Sequence, residues 1–569
     1  MHSKSFCDNF AVRKGGPSPC HLPPPGALMG VSRREVCLYT AGCRRLEGPE
    51  EPDRPEGPDD PDRPEGPDDP DRPESCELVS SASPAIPFPL FLHPLPTETI
   101  IRKKTSKHTT YMEQRQHFGS RMGAILAAAG SAVGLGNIWR FPCETGQNGG
   151  AAFILIYIIC IALVTVPVLI TELATGREAR SNAYDTYKRL ALEGRGGRIG
   201  RAVWLTAGFM CIIGGFLVFA YYSVVAGWTL KYAWAAATDT LLGRTAAGFT
   251  ADFASFTADP LKPFLCLVAF VIMTTAIVIL GVRKGIERGS KIMMPLLLLL
   301  LVVLAVCSLT LPDSMEGVRF LFQPDFSKIT THVWLEALGQ AFFTLSVGIG
   351  TLMTYASYFS PKVNIVKDAY HVAVIDTLVA ILAGVIIFPA AMSVGVSPDA
   401  GPALVFITLP NVFQQAFGAT PLLCYIVTVA FYILLVMAAL TSSISMLEIT
   451  TAFISEKTRF SRTMSAIVLA VLTCAAGFCC SMSFGDWSSV TVFGMGFFDL
   501  CDFIVAKFAM PLGSIFLCLL LRRMGRERVT RMLTNDGHLR LGRFPHIFYL
   551  LTTTLVPVAI LIIFINGII

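Results

Sequence analysis

From Gly123 onward the chain is a succession of apolar runs joined by short polar connections, and this pattern limits the fold more than any other feature. A bilayer core takes about 20 apolar residues per helix. Eleven such runs centre near residues 131, 162, 217, 271, 300, 344, 383, 434, 472, 508 and 555. Those from Pro295 to Thr310 and from Val556 to Ile565 are almost unbroken. Main-chain polar groups in lipid must be satisfied within the segment, so these runs predict helices and an all-α membrane protein. Only 15% of residues are charged, too few to solvate a soluble domain of this size. The net charge of +5 is spread among short connections, which leaves no basic patch for nucleic acid. Cys160, Cys211, Cys307 and Cys424 lie inside apolar runs and read as small apolar residues rather than as a disulfide framework. No Cys-x-x-Cys or His-Glu-x-x-His spacing suggests a structural or catalytic metal.

Residues 1–111 differ in kind. The unit Pro-Asp-Arg-Pro-Glu-Gly-Pro-Asp-Asp begins at Pro52, repeats at Pro61 and restarts at Pro70. Proline and charge in this proportion cannot bury a core, so the stretch is expected to be a disordered low-complexity extension. Met112 begins a short polar lead directly before the first apolar run, which makes it the expected true start of a transporter domain spanning 112–569.

Lysine and arginine fix the expected sidedness. They crowd the approach to the first run (Arg102 to Arg121) and the connection after the second (Arg177 to Arg201). They recur at Arg283 to Lys291, Lys457 to Arg462 and Arg522 to Arg543, whereas the alternate connections are poor in them. By the positive-inside rule the amino terminus is cytoplasmic, and eleven spans place the carboxyl terminus outside.

Runs one and six each contain a polar, glycine-rich interruption, Gly130-Ser-Ala-Val-Gly-Leu-Gly-Asn137 and Thr344-Leu-Ser-Val-Gly-Ile-Gly350. Glycine costs about 1 kcal/mol in a helix interior. One such cluster could merely allow close helix packing. Two at matching places, five spans apart, fit a pair of discontinuous helices from facing repeats. Their exposed carbonyls suit a cation and their exposed amides a carboxylate.

These segments carry a resemblance to a known family. Gly130 to Pro142 and Asn148 to Phe153 resemble the first-helix signature of the neurotransmitter:sodium symporters, in the bacterial LeuT/MhsT-like amino-acid transporter branch of eleven-span type. Gly281 to Arg288, Gly339 to Ser346, Gly401 to Phe406 and Leu440 to Ser443 follow in family order, as does the Gly285 and Pro295 pair of span five. The resemblance implies a LeuT-like fold with a 5+5 inverted repeat, sodium-coupled uptake by alternating access, and a bacterial inner-membrane location. It implies a first sodium site of Ala132, Asn137, Thr344 and Asp376, and a second of Gly130, Val133, Ala438, Thr441 and Ser442. Chloride-dependent members have a neutral asparagine where Asp376 stands and a serine where Ala380 stands, so no chloride is expected here.

The resemblance further implies a substrate pocket of Ser131, Ala132, Leu135, Gly136, Val218, Tyr222, Phe343, Thr344, Ser346, Ile349, Ser442 and Met446. Monoamine carriers place an aspartate where Gly134 stands, so glycine there implies an intact neutral amino acid, apolar or aromatic. Arg140 with Asp502, or with Asp499 as the alternative, would close the outer side. Arg115 with Glu456, near Tyr358, would close the inner side. A carrier of another small organic solute and a non-transporting sensor are the competing readings. An enzyme is not expected, because no nucleophile–base pair stands near the pocket residues.

Overall fold

The computed structural model describes residues 117–192, 197–394 and 405–566. The expectations for residues 1–111, for a start at Met112, for Arg115 and for Gly401 to Leu404 lie outside the described residues. Within them the fold is all-α, with one isolated bridge between Val492 and Met495.

The chain first forms α1 (Arg121–Ala132) and α2 (Gly136–Gln147), bent by 48° at the break between them. Ser120 starts α1 by accepting the Gly123 amide, satisfying one of the free donors of the first turn. Val133 stops it by turning to extended backbone, with ψ 116°. Beyond come α3 (Ala151–Ala179), α4 (Arg198–Ala237), α5 (Lys262–Ile279) and α6 (Val282–Leu309). The pair α7 (Thr331–Thr344) and α8 (Thr351–Ala356) follows. Then come α9 (Ile365–Ser393), α10 (Pro421–Lys457), α11 (Arg462–Met482), α12 (Phe497–Met524), a short α13 (Arg526–Thr534) and α14 (Phe544–Ile562). Among the described residues nine single helices are long and apolar enough to cross a bilayer, and the bent α1–α2 pair makes ten. Eleven runs were expected; α7 and α8, each shorter than a span, account for the difference.

The α7–α8 interruption is enforced by the backbone. Ser346, Gly348 and Gly350 all have positive φ, at 50°, 95° and 74°, which a continuing helix cannot accommodate. Ser346 holds this conformation without being glycine, a strain of the kind found at ligand sites.

Both broken pairs lie at the centre. α1 packs against α6, α8, α9 and α10, while α7 and α8 lean on α3 and α10 runs along α4. Large apolar side chains such as Leu163, Val306 and Leu561 stay exposed on the outside, as expected of a surface solvated by lipid tails. Wide π turns interrupt several spans, at Gly136–Arg140, Val282–Glu287 and Ile504–Ala509 among others. Gly285 lies in the second of these, where a Cβ would fall 1.9 Å from the Ile277 carbonyl oxygen, so the backbones touch there.

Candidate functional site

The two breaks face each other across a narrow hollow. Ala132, Gly134, Gly136, Val218, Tyr222, Phe343, Ser346, Ile349, Ser442, Met446 and Met510 line it. Nine of the twelve pocket residues expected from sequence are among these. Ser131, Leu135 and Thr344 stand behind the lining. The Ser131 hydroxyl donates to Ser445 Oγ at 2.8 Å, and its carbonyl accepts from Ser346 Oγ at 3.3 Å. The Leu135 amide donates to the Tyr222 hydroxyl at 3.1 Å. The first bond of this set fixes α1 against α10, the second joins the two breaks and the third brings in α4.

Oxygen atoms gather in two places beside the hollow. In the first, Asn137 Nδ2 donates to Asp376 Oδ1 at 2.7 Å and to the Asp376 carbonyl at 3.0 Å. Asn137 Oδ1 accepts the Gly134 amide, and the Thr344 hydroxyl interacts with the Asp376 carboxyl and with Tyr157 Oη at 3.1 Å. Asn137, Thr344 and Asp376 are all buried, yet Asp376 Oδ2 has no hydrogen-bond partner among the described residues. An ionised carboxylate buried in this way calls for a cation or a proton. In the second cluster, Thr441 Oγ1 lies 2.9 Å from the Ala438 carbonyl and 3.2 Å from that of Val133. Ser442 Oγ lies 2.8 Å from the Val133 carbonyl and 3.5 Å from that of Gly130. Such hydroxyls in membrane helices often bond only to their own backbone. These two also cross from α10 to the broken end of α1.

A buried carboxylate that sequence reading passed over holds the second break in shape. Glu172 on α3 accepts the amides of Gly348 and Gly350, both at 3.0 Å through Oε1. A lone glutamate inside the apolar Val166–Ala174 stretch was the available signal. Replacing Glu172 by alanine leaves two buried amides without an acceptor, at about 1–3 kcal/mol each. The expected result is a fall of several degrees in the unfolding midpoint, with glutamine recovering part of it.

On one side of the hollow, Arg140 lies 3.9 Å from Asp502, 3.6 Å from Glu144 and 4.5 Å above the centre of the Phe343 ring. Of the two aspartates weighed, Asp502 is therefore the one in range. Glu144, one helical turn beyond Arg140, was not foreseen. On the other side Tyr358 donates to Glu448 Oε1 at 2.6 Å, and Glu448 pairs with Arg462 at 2.5 Å. Glu456 accepts from Asn182 at 2.6 Å. Arg115, the partner expected for Glu456, lies outside the described residues.

Over residues 115–248 and 259–569 the sequence matches the Sodium:neurotransmitter symporter family. The chain belongs to the sodium:neurotransmitter symporter family. Among similar proteins, the uncharacterized sodium-dependent transporter YhdH of Bacillus subtilis is 39% identical over 451 residues, covering 79% of this chain and 97% of its own. An uncharacterized sodium-dependent transporter of Haemophilus influenzae is 33% identical over 467 residues, covering 81% and 99%. The crystal structure of MhsT in complex with L-phenylalanine matches with a TM-score of 0.72 at 42% identity, covering 79% of this chain and 99% of that one. This symporter is therefore a multi-pass membrane transporter and not an enzyme, as the sequence implied.

Two further residues of this symporter's site escaped sequence reading. Met510 reaches the lining because the π turn Ile504–Ala509 shifts the register of α12, a local widening that leaves no compositional mark. Gln340 donates to the Gly136 carbonyl at 2.9 Å and ties α7 to α2. Its position in an otherwise apolar part of α7 was the signal.

Proposed function

We propose that the chain imports neutral apolar or aromatic amino acids together with sodium by alternating access. The observation that carries this reading is the composition of the hollow. Its side walls are Val218, Phe343, Ile349, Met446 and Met510, while its polar groups are main-chain ends and hydroxyls with no charged side chain among the lining residues. A charged substrate side chain would lose its hydration there without compensation. A zwitterion's own charges would meet the amides near Leu135 and Gly136 and the carbonyls near Ala132, Phe343 and Thr344. The similarity to MhsT, whose structure holds L-phenylalanine, supports an aromatic or large aliphatic substrate.

Two sodium ions travel as co-substrates in this reading. Asn137, Thr344, Asp376 and the Ala132 carbonyl hold the first beside the substrate carboxylate. Thr441 and Ser442 hold the second with the carbonyls of Gly130, Val133 and Ala438. Hard oxygen donors of this kind suit an alkali-metal ion, and Asp376 Oδ2, without a hydrogen-bond partner among the described residues, fits the first site. Asp376 also supplies the fixed negative charge, with Ala380 leaving no hydroxyl beside it for chloride. Replacing external chloride by gluconate at constant sodium is therefore expected to leave uptake unchanged, and a collapse of uptake would refute the role given to Asp376.

Arg140 with Asp502 closes the outer side of the pathway, and Arg115, Glu456 and Tyr358 belong to the inner closure. With α7 and α8 taken as one interrupted span there are eleven, the first ten forming a 5+5 inverted repeat. The amino terminus is then cytoplasmic and the carboxyl terminus outside, in the inner membrane. The test of substrate class is competition of labelled L-phenylalanine uptake by the twenty amino acids. Inhibition by aromatic and large aliphatic ones, with none by lysine or glutamate, is the expected pattern. Equal inhibition by charged amino acids would overturn it.

A further inference from the structure

One cavity among the described residues is larger than the central hollow. It holds about 910 Å³ and lies where the end of α3, the Pro361–Val363 connection beyond α8, and α13 come together. Five cations line it, Arg177, Arg180, Lys362, Arg528 and Arg531, against the carboxylates of Glu178 and Asp536. Glu178 is already engaged by Arg528, at 3.3 Å.

Arg177 is the informative residue. Only 8% of it is exposed, and its guanidinium donates to the Val363 carbonyl at 2.7 Å, to Asn535 Oδ1 at 2.6 Å and to the Met532 carbonyl. Every one of these acceptors is neutral, so the bonds fix the group in place without cancelling its charge. Asn535, held in left-handed backbone at φ 50°, donates in turn to the Val363 carbonyl at 3.1 Å. The result is a rigid wall with a buried positive charge. Lys362 and Arg531 stand on the same cavity with no ion pair among the described residues.

We propose that this cavity binds an anion carrying phosphate groups. Several guanidinium and ammonium donors around one concave space match the oxygens of a phosphate, and the volume exceeds what one inorganic phosphate fills. The bound anion joins α3 and α13 to the connection that follows the inner half of the second broken helix. In the orientation proposed above the cavity is cytoplasmic, where both soluble phosphates and the headgroups of anionic phospholipids are available. The binding chemistry itself does not depend on which amino acid is carried.

The test uses the full chain, with inorganic pyrophosphate added in detergent and, separately, cardiolipin included in phosphatidylcholine nanodiscs. Potassium salts at matched ionic strength and constant sodium exclude general salt effects. The expected result is a rise of several degrees in the unfolding midpoint in at least one arm. The double substitution Lys362→Gln with Arg531→Gln is expected to weaken binding by at least about tenfold. Uptake by that variant in phosphatidylcholine liposomes is expected to match the native chain, which separates loss of the anion from loss of the fold. A response to pyrophosphate identifies a soluble source, and a response to cardiolipin alone identifies a headgroup. No stabilisation in either arm, or an undiminished response in the double variant, overturns the proposal.

Discussion

Replacing Asp376 by asparagine is expected to raise the sodium concentration for half-maximal uptake by about a hundredfold. Asparagine can still accept from Asn137 Nδ2, which now lies 2.7 Å from Asp376 Oδ1, so the local packing survives. What is lost is the negative charge on the buried Oδ2, which has no other partner among the described residues. Removing one charge from a buried ion pair costs about 3 kcal/mol or more, and each 1.4 kcal/mol is about tenfold in affinity. A variant with unchanged sodium dependence would show that Asp376 does not hold an ion. Its unfolding midpoint should stay close to that of the native chain, which distinguishes a lost ion from a lost fold.

The second large effect is expected from Gly134→Ala. A Cβ at this position would lie 2.3 Å from Ser442 Oγ and 2.9 Å from the Tyr222 hydroxyl. Ser442 is bonded to the Val133 carbonyl, and Tyr222 accepts the Leu135 amide. One methyl group therefore pushes on the second oxygen cluster and on the donor set of the first break together. Overpacking of this kind costs about 1–3 kcal/mol, equivalent to roughly a fivefold to hundredfold loss of uptake. Gly339→Ala on α7 is the matched control, because nothing lies within 4 Å of its added Cβ. That substitution is expected to leave uptake unchanged and to stabilise the helix slightly. If the two variants behaved alike, the close packing around Gly134 would have no functional weight.

The parts of this architecture that could be read in the chain are those where polarity contradicts its surroundings. Gly130 to Asn137 and Thr344 to Gly350 stand out because glycine, serine and asparagine are out of place in apolar runs, and the breaks fall inside those limits. Glu172 obeys the same logic but was passed over, since nothing local shows that its partners are amides 176 and 178 residues away. Met510 is of a different kind. An apolar residue in an apolar span carries no signal, and it reaches the hollow only through a π turn that composition does not encode. Asp499 and Asp502 lie one helical turn apart, so only the distance to Arg140 separates them. Counting spans by length also falls short at α7 and α8. The backbone is interrupted there, and neither piece is long enough alone.

The most direct measurement of the central claim is uptake of labelled L-phenylalanine into liposomes containing the purified chain, with sodium outside and potassium inside. Accumulation above the external concentration is predicted, and it should vanish when sodium is equal on both sides or replaced by potassium. Accumulation that ignores the sodium gradient, or the absence of any accumulation while L-phenylalanine binds normally, would contradict the account.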